Sequence, residues 1–333
     1  MAGIKALRKI QLGREATPGG AVAATAVWRG MGMLEDTREV KFPSEDIGYI
    51  SGIDRAYVPK LAGSMAFDKV EATFEQLPHI LEAGIKLIGT GAADGAGTDK
   101  IYNYTLPTTA VNTIKSYTIE GGDDTEAEEM EYAFVSEFSL EGKGEEAWFM
   151  AATWLGRQIS LSTFTGALTP PTVEEMLFGK TKLYIDLVSG NFGTTVKALT
   201  LLEAKLKVKT GWTPVFTADG ALYFTFAKLT VPEITLELTF EHDGTAQAEK
   251  VAWRAGTPRL IQLKCEGSTV ATPGTTYTYK TLIINLAGKW EKFSKLDEKD
   301  GNDIVTGTFR ARYNATKAAF GNIIVVNELA TIP

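Results

Sequence analysis

The sequence predicts a mainly β fold built as two similar halves. Three observations carry this. Alternation of apolar and polar residues dominates the chain, helix signals are confined to three short segments, and the order of elements in the first half returns about 170 residues later.

The first half opens on the long alternating stretch Val27–Val40, followed by the loop Lys41–Leu61 and the strand Ser64–Asp68. Thr73-Phe-Glu-Gln76 is a capping box, in which the Thr hydroxyl accepts from the Gln76 amide and the Gln side chain reaches back. It predicts a helix over Phe74–Ala83, with Leu77, Ile80 and Leu81 on one face, Pro78 in the first turns and Gly84 closing it. A strand pair, Tyr132–Leu140 with Trp148–Trp154, completes the half.

In the second half, strand Ala198–Lys209 is followed by the loop Thr210–Gly220 and the strands Leu222–Phe226 and Ile234–Phe240. A helix is predicted over Thr245–Ala255, stopped by Gly256 and Pro258, and then the strand pair Thr281–Leu286 with Asp303–Tyr313. Gly84 and Gly256 close the two helices 172 positions apart. Residues 1–165 and 181–333 are therefore expected as equivalent domains, each with a terminal arm. Residues 166–180, with the paired Pro170 and Pro171, form the join. A third capping box, Thr172-Val-Glu-Glu175, predicts a helical turn running to Phe178, so the region 165–193 reads as linker or as a small decoration.

Composition narrows the classes. Apolar residues make up 44% and charged residues 23%, so each half can bury a core of its own. The single cysteine, Cys265, excludes an internal disulfide and a cysteine-rich metal site, and in its strand-like setting reads as a small buried residue. No run approaches the roughly 20 apolar residues of a membrane span, and the start MAGIKALRKI lacks the apolar core of a signal peptide. Assembly in a reducing cytoplasm, with no membrane partner, is expected. Net charge is −7, unevenly spread. Residues 1–165 carry 15 Lys and Arg against 24 Asp and Glu, a net −9; residues 166–333 carry 19 against 17, a net +2. Such a chain does not grip nucleic acid, which needs a basic surface.

Catalytic constellations are not apparent. His79 lies inside the first predicted helix and His242 at the entry to the second, and neither has a nucleophile at triad spacing. Gly89-Thr-Gly91-Ala-Ala-Asp-Gly95 has the wrong spacing for a dinucleotide turn and lacks a P-loop Lys. Asp94 with Asp99, and Asp297, Asp300 and Asp303 around Gly301, depart from the calcium-loop pattern. No cofactor or metal is expected.

Residues 120–131, EGGDDTEAEEME, are the densest charge in the chain: Glu120, Asp123, Asp124, Glu126, Glu128, Glu129 and Glu131. A Gly-Gly turn leading into a strand would send successive side chains to opposite faces, which suits surface or interface charge better than a converging acid pair or a metal site.

Several stretches together resemble the tail tube (major tail) proteins of long, flexible-tailed bacteriophages. They are Glu15–Ala24, Gly30–Thr37, Ala72–Pro78, Ile119–Asp123, Ala127–Tyr132 and Thr153-Trp-Leu-Gly-Arg157. Their order over residues 15–165 carries the likeness, which thins over 166–333. The resemblance implies β-sandwich domains with a short flanking helix, whose inner sheets merge with neighbours into a continuous β-barrel around a lumen. It implies self-association into stacked rings, a conduit for genome delivery located in the virion and assembled in the host cytoplasm. It also implies no catalysis, tape measure protein and viral DNA inside, and tail terminator and distal tail proteins at the ends. Two fused tube domains imply three chains in a pseudo-six-fold ring, where the −9 and +2 halves would alternate. The loop with Lys41, Glu45, Asp46, Tyr49, Asp54, Arg55 and Tyr57 takes the place of the family's inter-subunit or inter-ring loop, and residues 120–131 become a candidate lumen or subunit-interface charge. Two other readings compete. A pair of adhesin or carbohydrate-binding β-sandwiches would display a platform of exposed Trp or Tyr, and an enzyme on a β scaffold would need a constellation absent from the sequence.

Overall fold

The computed structural model describes residues 3–333. Among these residues the chain is mainly β, with two α-helices, α1 (Leu77–Gly84) and α2 (Gly244–Arg254). The organising feature is one eight-stranded antiparallel sheet. Its strands are β1 (Gly32–Asp36), β2 (Gly63–Glu71), β3 (Ala127–Lys143), β4 (Phe149–Gly156), β5 (Leu201–Lys209), β6 (Glu233–Glu241), β7 (Tyr279–Phe293) and β8 (Asn302–Ala311). They lie in the order β1-β2-β4-β3-β5-β6-β8-β7. The order 1-2-4-3 of the first half thus recurs as 5-6-8-7, and the two quartets meet where β3 pairs with β5. The pairings branch without returning to their starting strand, so the chain alone closes no barrel.

β3 and β7 are long because each serves two sheets. The start of β3 pairs with Tyr117–Gly122 and Ile159–Ser162, and Lys9–Arg14 extends that layer. The start of β7 pairs likewise with Arg259–Thr269 and Gly321–Asn327, and Thr181–Leu187 extends it. β3 changes sheets at a register shift between Met130 and Ala133, where Tyr132 takes a φ of 52°. The apolar faces of these layers enclose Met65, Phe67, Tyr117 and Trp154 in the first half, and Leu236, Leu263, Trp290 and Phe309 in the second.

The halves are interlocked. Lys100–Thr105, from the first half, pairs with Gly321–Asn327 of the second. Buried Ile332 returns to the first half, where its carbonyl accepts from Arg14 Nη1 at 3.1 Å. Every residue of α1 is buried. At its end Gly84 fits against Val135 and Thr210, one from each half; an added Cβ would lie 3.0 Å from Thr210 Cγ2 and 3.3 Å from Val135.

The capping box at Thr73 forms, with Gln76 N donating to Thr73 Oγ1 at 3.2 Å, although regular helix starts only at Leu77. α2 begins one residue earlier than expected, because Asp243 Oδ1 caps it by accepting from Ala246 N at 2.9 Å. The third capping box forms no α-helix. Residues 172–177 run extended, and only Phe178–Lys180 makes a 3₁₀ turn. Tertiary bonds outweigh the local signal. Met176 N donates to Ala72 O at 2.8 Å, Trp148 N donates to Met176 O at 2.7 Å, and Glu174 binds Ser268 instead of a cap. Leu222–Phe226 is mostly bend, and the strand there is Phe226–Leu229. Strands Lys9–Arg14, Lys100–Thr105 and Gly321–Asn327 escape a reading that follows only the longest alternations.

The join is therefore packed structure: Met176 is fully buried, and its neighbours Glu174 and Leu177 bond to Ser268 and Cys265 of the second half. Met176→Ala is expected to lower unfolding stability by about 2–5 kcal/mol, read as the midpoint of a denaturant titration. A loss under 1 kcal/mol would show that the join can collapse around the void.

Candidate functional site

The face of the eight-stranded sheet turned away from the core is polar and ion-paired across strands. Glu141 of β3 meets Lys205 of β5 at 2.6 Å and Lys69 of β2 at 3.0 Å. Glu137 lies 3.9 Å from Lys207, and Glu233 binds both Lys209 (3.4 Å) and Arg310 (3.3 Å). Lys299 meets Glu203 at 3.1 Å. Period-two alternation places these residues outward while Phe138, Leu140, Leu206 and Val208 fill the core side. Burial works to raise the Glu141 carboxyl, but hydrogen bonds and charge from Lys205 and Lys69 together outweigh it and lower its pKa. From Glu137 to Glu141 the outward side of the β3–β5 seam is thus acidic on β3 and basic on β5, and the polarity reverses at Lys143 and Glu203.

Each half carries a hairpin arm, and the two arms differ in setting. The arm of the second half pairs Trp212–Val215 with Phe226–Leu229 and folds onto the first half. There Trp212, Phe224 and Phe134 form a separate apolar cluster with Tyr132 and Leu155 around them. Arg157 pins it, donating to Phe224 O at 3.0 Å and Thr225 O at 2.9 Å, with its guanidinium 4.7 Å from the Tyr132 ring centre. The arm of the first half pairs Glu39–Lys41 with Tyr57–Lys60; its loop is largely exposed, while at its base Lys60 Nζ lies 5.3 Å from the centre of the Phe216 ring of the second arm. Residues 45–46, 49, 54–55 and 57, expected as an inter-subunit loop, all lie on it with Lys41. An ion pair joins Arg55 to Glu45, while Phe42 and Tyr49 (73% exposed) project from it.

The acidic stretch does not act as one unit. It forms the hairpin turn between Tyr117–Gly122 and β3, away from the ion-paired face. Glu120 is 4% exposed and belongs to the interior, accepting from Thr165 N at 2.7 Å, Thr165 Oγ1 at 2.6 Å and Ala24 N at 3.3 Å. Asp123 accepts from Thr125 N and Glu126 N within the turn, bonds that hold its pKa down. Asp124 accepts from Ile4 N and Glu129 from Ser162 Oγ. Glu126 is exposed, and Glu128 and Glu131 are half-buried. Burial pushes the Glu128 carboxyl up, and the charges of Glu126 and Asp36 add to that. Burial likewise raises Glu131, helped by Glu15 and opposed by Arg157. Glu128 and Glu131 stand three positions apart in β3, so one alternating face does not foretell both, and the tie of Glu120 to Thr165 is a contact across 45 positions that no local pattern records.

The groups most capable of chemistry are enclosed. Arg14 bonds Glu82, Tyr117 Oη donates to Glu82 Oε2 at 3.3 Å, and His79 Nδ1 stands 3.2 Å from Tyr117 Oη. Burial, with the Arg14 charge, lowers His79 to about 3, so it is neutral at pH 7. This network holds α1 against the C-terminal segment. Asp94 accepts from the Thr276 and Tyr277 amides at 2.7 Å each, tying the 89–99 loop to the second half. Asp300 and Gly301, with φ of 53° and 82°, make the tight turn before β8, which accounts for the Asp-rich run there. Burial raises Cys265 to about 11, and its thiol donates to Leu177 O. Among the described residues no group of three or more His, Cys, Asp or Glu is arranged to hold a metal, and no helix is long and apolar enough to cross a membrane.

Compared with protein-family models and with curated proteins, the chain matches none. The geometry therefore carries the functional argument.

Arg157→Ala should release the second arm. Loss of two charge-assisted bonds at about 2 kcal/mol in all would speed amide exchange in residues 212–229 roughly thirtyfold, read by hydrogen exchange. The raised Glu131 pKa has a defined sign. The folded state holds this proton to higher pH than the unfolded chain, so the group's stabilisation is complete below the ordinary Glu pKa of about 4.3 and is lost as pH rises through the folded value. Glu131→Gln is therefore expected to melt higher than the parent at pH 7, with the gap closing below about pH 4.

Proposed function

We propose that this chain is a structural subunit of a phage-type tail tube, whose copies close into rings that stack into a conduit for DNA. The observation that carries the reading is the seam: two equivalent quartets of strands already share one sheet inside the chain, through β3 and β5. That sheet ends on β1 and on the end of β7, which have no further strand beside them among the described residues. An open antiparallel sheet is a template for further pairing, and head-to-tail pairing that closes gives a ring without edges.

The remaining features suit such a subunit. The ion-paired face would line the lumen. Its cations sit against carboxylates, so passing phosphates meet little free positive charge. Three chains of eight strands would give a pseudo-six-fold ring. The exposed arm with Lys41, Glu45, Asp46, Tyr49, Asp54, Arg55 and Tyr57 would join subunits or rings. The tape measure protein and DNA would occupy the lumen, terminator and distal tail proteins the ends, and the assembled tube the virion. The reading assigns no catalysis and no cofactor. The carbohydrate-binding alternative finds no Trp platform, since Trp28, Trp148, Trp154, Trp212 and Trp290 are buried, although Tyr49, Tyr57, Tyr279 and Tyr313 are exposed.

Negative-stain microscopy of the purified chain, over a range of concentration and salt, tests this directly. Tubes or rings with a regular axial repeat are expected; compact monomers under every condition would refute it.

A further inference from the structure

The two halves match residue by residue around the seam. In the first half Trp154 stands opposite both Val135 and Met65, and Met65 stands opposite Leu34. In the second half Phe309 stands opposite both Trp290 and Leu236, and Leu236 stands opposite Leu206. Each central pair is followed by the same irregularity, after Val135 and after Trp290. Glu137 therefore corresponds to Lys292 and Ser139 to Ser294. On the leading edge, Glu35 corresponds to Lys207 and Thr37 to Lys209.

One seam is filled and its duplicate is open. β3 is covered by β5, with Glu137 opposite Lys209 and Ser139 opposite Lys207. Lys292 and Ser294 are exposed, as are Glu35 and Thr37 on the other edge of the molecule. The helices report the same difference. Gly84 of α1 packs on both sides of the filled seam, whereas Gly256, closing α2, has only the tip of Lys289 at 4.0 Å, and Val251 of α2 is 62% exposed. Met31 and Met33, beside the open edge of β1, are 62% and 59% exposed.

We propose that the open seam is filled by a second copy of this chain, with β7 of one copy antiparallel to β1 of the next, Lys292 opposite Thr37 and Ser294 opposite Glu35. The filled seam supplies the register, and the charges supply the direction. In the filled seam the diagonal pair Glu137–Lys207 has its acid on the trailing strand. In the open seam the corresponding pair is Lys292 with Glu35, the same geometry with polarity reversed. Among the described residues neither is in an ion pair within the chain. Because β3 and β5 already cover each other, the edges left for another copy among the described residues are β1 and the end of β7, which brings unlike halves together. Were the filled seam to open, pairing like halves would set Glu137 and Glu141 around Glu35, or Lys292 against Lys207 and Lys209, and like charges opposed in a ladder are unfavourable.

The arms extend the match. The second arm lies on Tyr132, Phe134 and Arg157, whose counterparts are Ala287, Lys289 and Arg312. The neighbour's first arm, with Glu45, Asp46 and Asp54, would come down on Lys289 and Arg312, both exposed.

The proposal rests on the ring-forming reading for its choice of partner, and two sets of full-length variants separate the two. The first places cysteines at Ser294 and Glu35, with cysteines at Ser294 and Thr37 in a Glu35→Ser background as a control shifted by two residues, so that both lack the Glu35 charge; Cys265 is buried and stays in place. Under mild oxidation the matched pair is expected to form intermolecular disulfides at least about tenfold faster than the shifted pair. The second set is Lys292→Glu, Glu35→Lys and both together. Each single change should raise the concentration needed for assembly at least about tenfold at low salt, and the double change should restore it, with melting temperature verifying the fold of each. Preferential crosslinking of the shifted pair, or no rescue by the double change, would overturn the register while any tubes seen would keep the tube reading. Matched crosslinks in closed rings that never stack would support the register and overturn the tube. No crosslinks and no assembly would overturn both.

Discussion

The pairing of β3 with β5 is the interaction on which the rest of the structure depends. A sheet edge carries a row of unpaired amides and carbonyls, and burying or pairing that edge is a constraint no side chain can meet alone. Here the trailing edge of the first quartet is met by the leading edge of the second, in register over seven residue pairs from Glu137–Lys209 to Lys143–Glu203. Once that seam forms, α1 is covered, the Gly84 contact with Thr210 becomes possible, and the second arm is carried onto Phe134. The exchange of Lys100–Thr105 onto the second half and the return of Ile332 to Arg14 then lock the same junction from the other side.

Charge is distributed to suit this geometry. The ion pairs on the outward sheet face are individually worth about 0–1 kcal/mol, so they add little to stability. Their value lies in register and partner choice, because a slip by one residue would send Glu137, Lys205 and Lys207 to the core side. The acidic stretch at 120–131 serves different ends. Its buried member, Glu120, binds the chain at Thr165 just before the join, Asp123 shapes a turn, and only part of the stretch meets solvent.

Much of the fold was legible in the residues, and for physical reasons. Strand alternation at YAFVSEFSL and ITLELTF reports one buried and one solvated face, which a sheet with a polar outer surface requires. The first helix announced itself by its capping box and both helices by their closing glycines, since those satisfy groups within a few residues. The capping box at Thr172 misled because the backbone after it found tertiary partners, Glu174 with Phe74 and Glu75, and Met176 with Ala72 and Trp148. The short strand Lys100–Thr105 was illegible because its partner lies more than 200 positions away. At the candidate site, the exposed arm was readable from its length and its place after an early strand. The role of Arg157 was not, for its acceptors are carbonyls, which every residue owns.

By itself the sequence determined the mainly β class, the recurrence of elements at an offset near 170, and the excess of acid in the first half, because each is written in local pattern or in simple counts. Only the tertiary structure decided that the halves share one sheet, that Glu120 is interior, and that one copy of the seam is filled while its duplicate stays open. Strand partners and edge register are set by contacts between residues far apart in the chain, and local pattern carries no information about which distant edge a strand will meet.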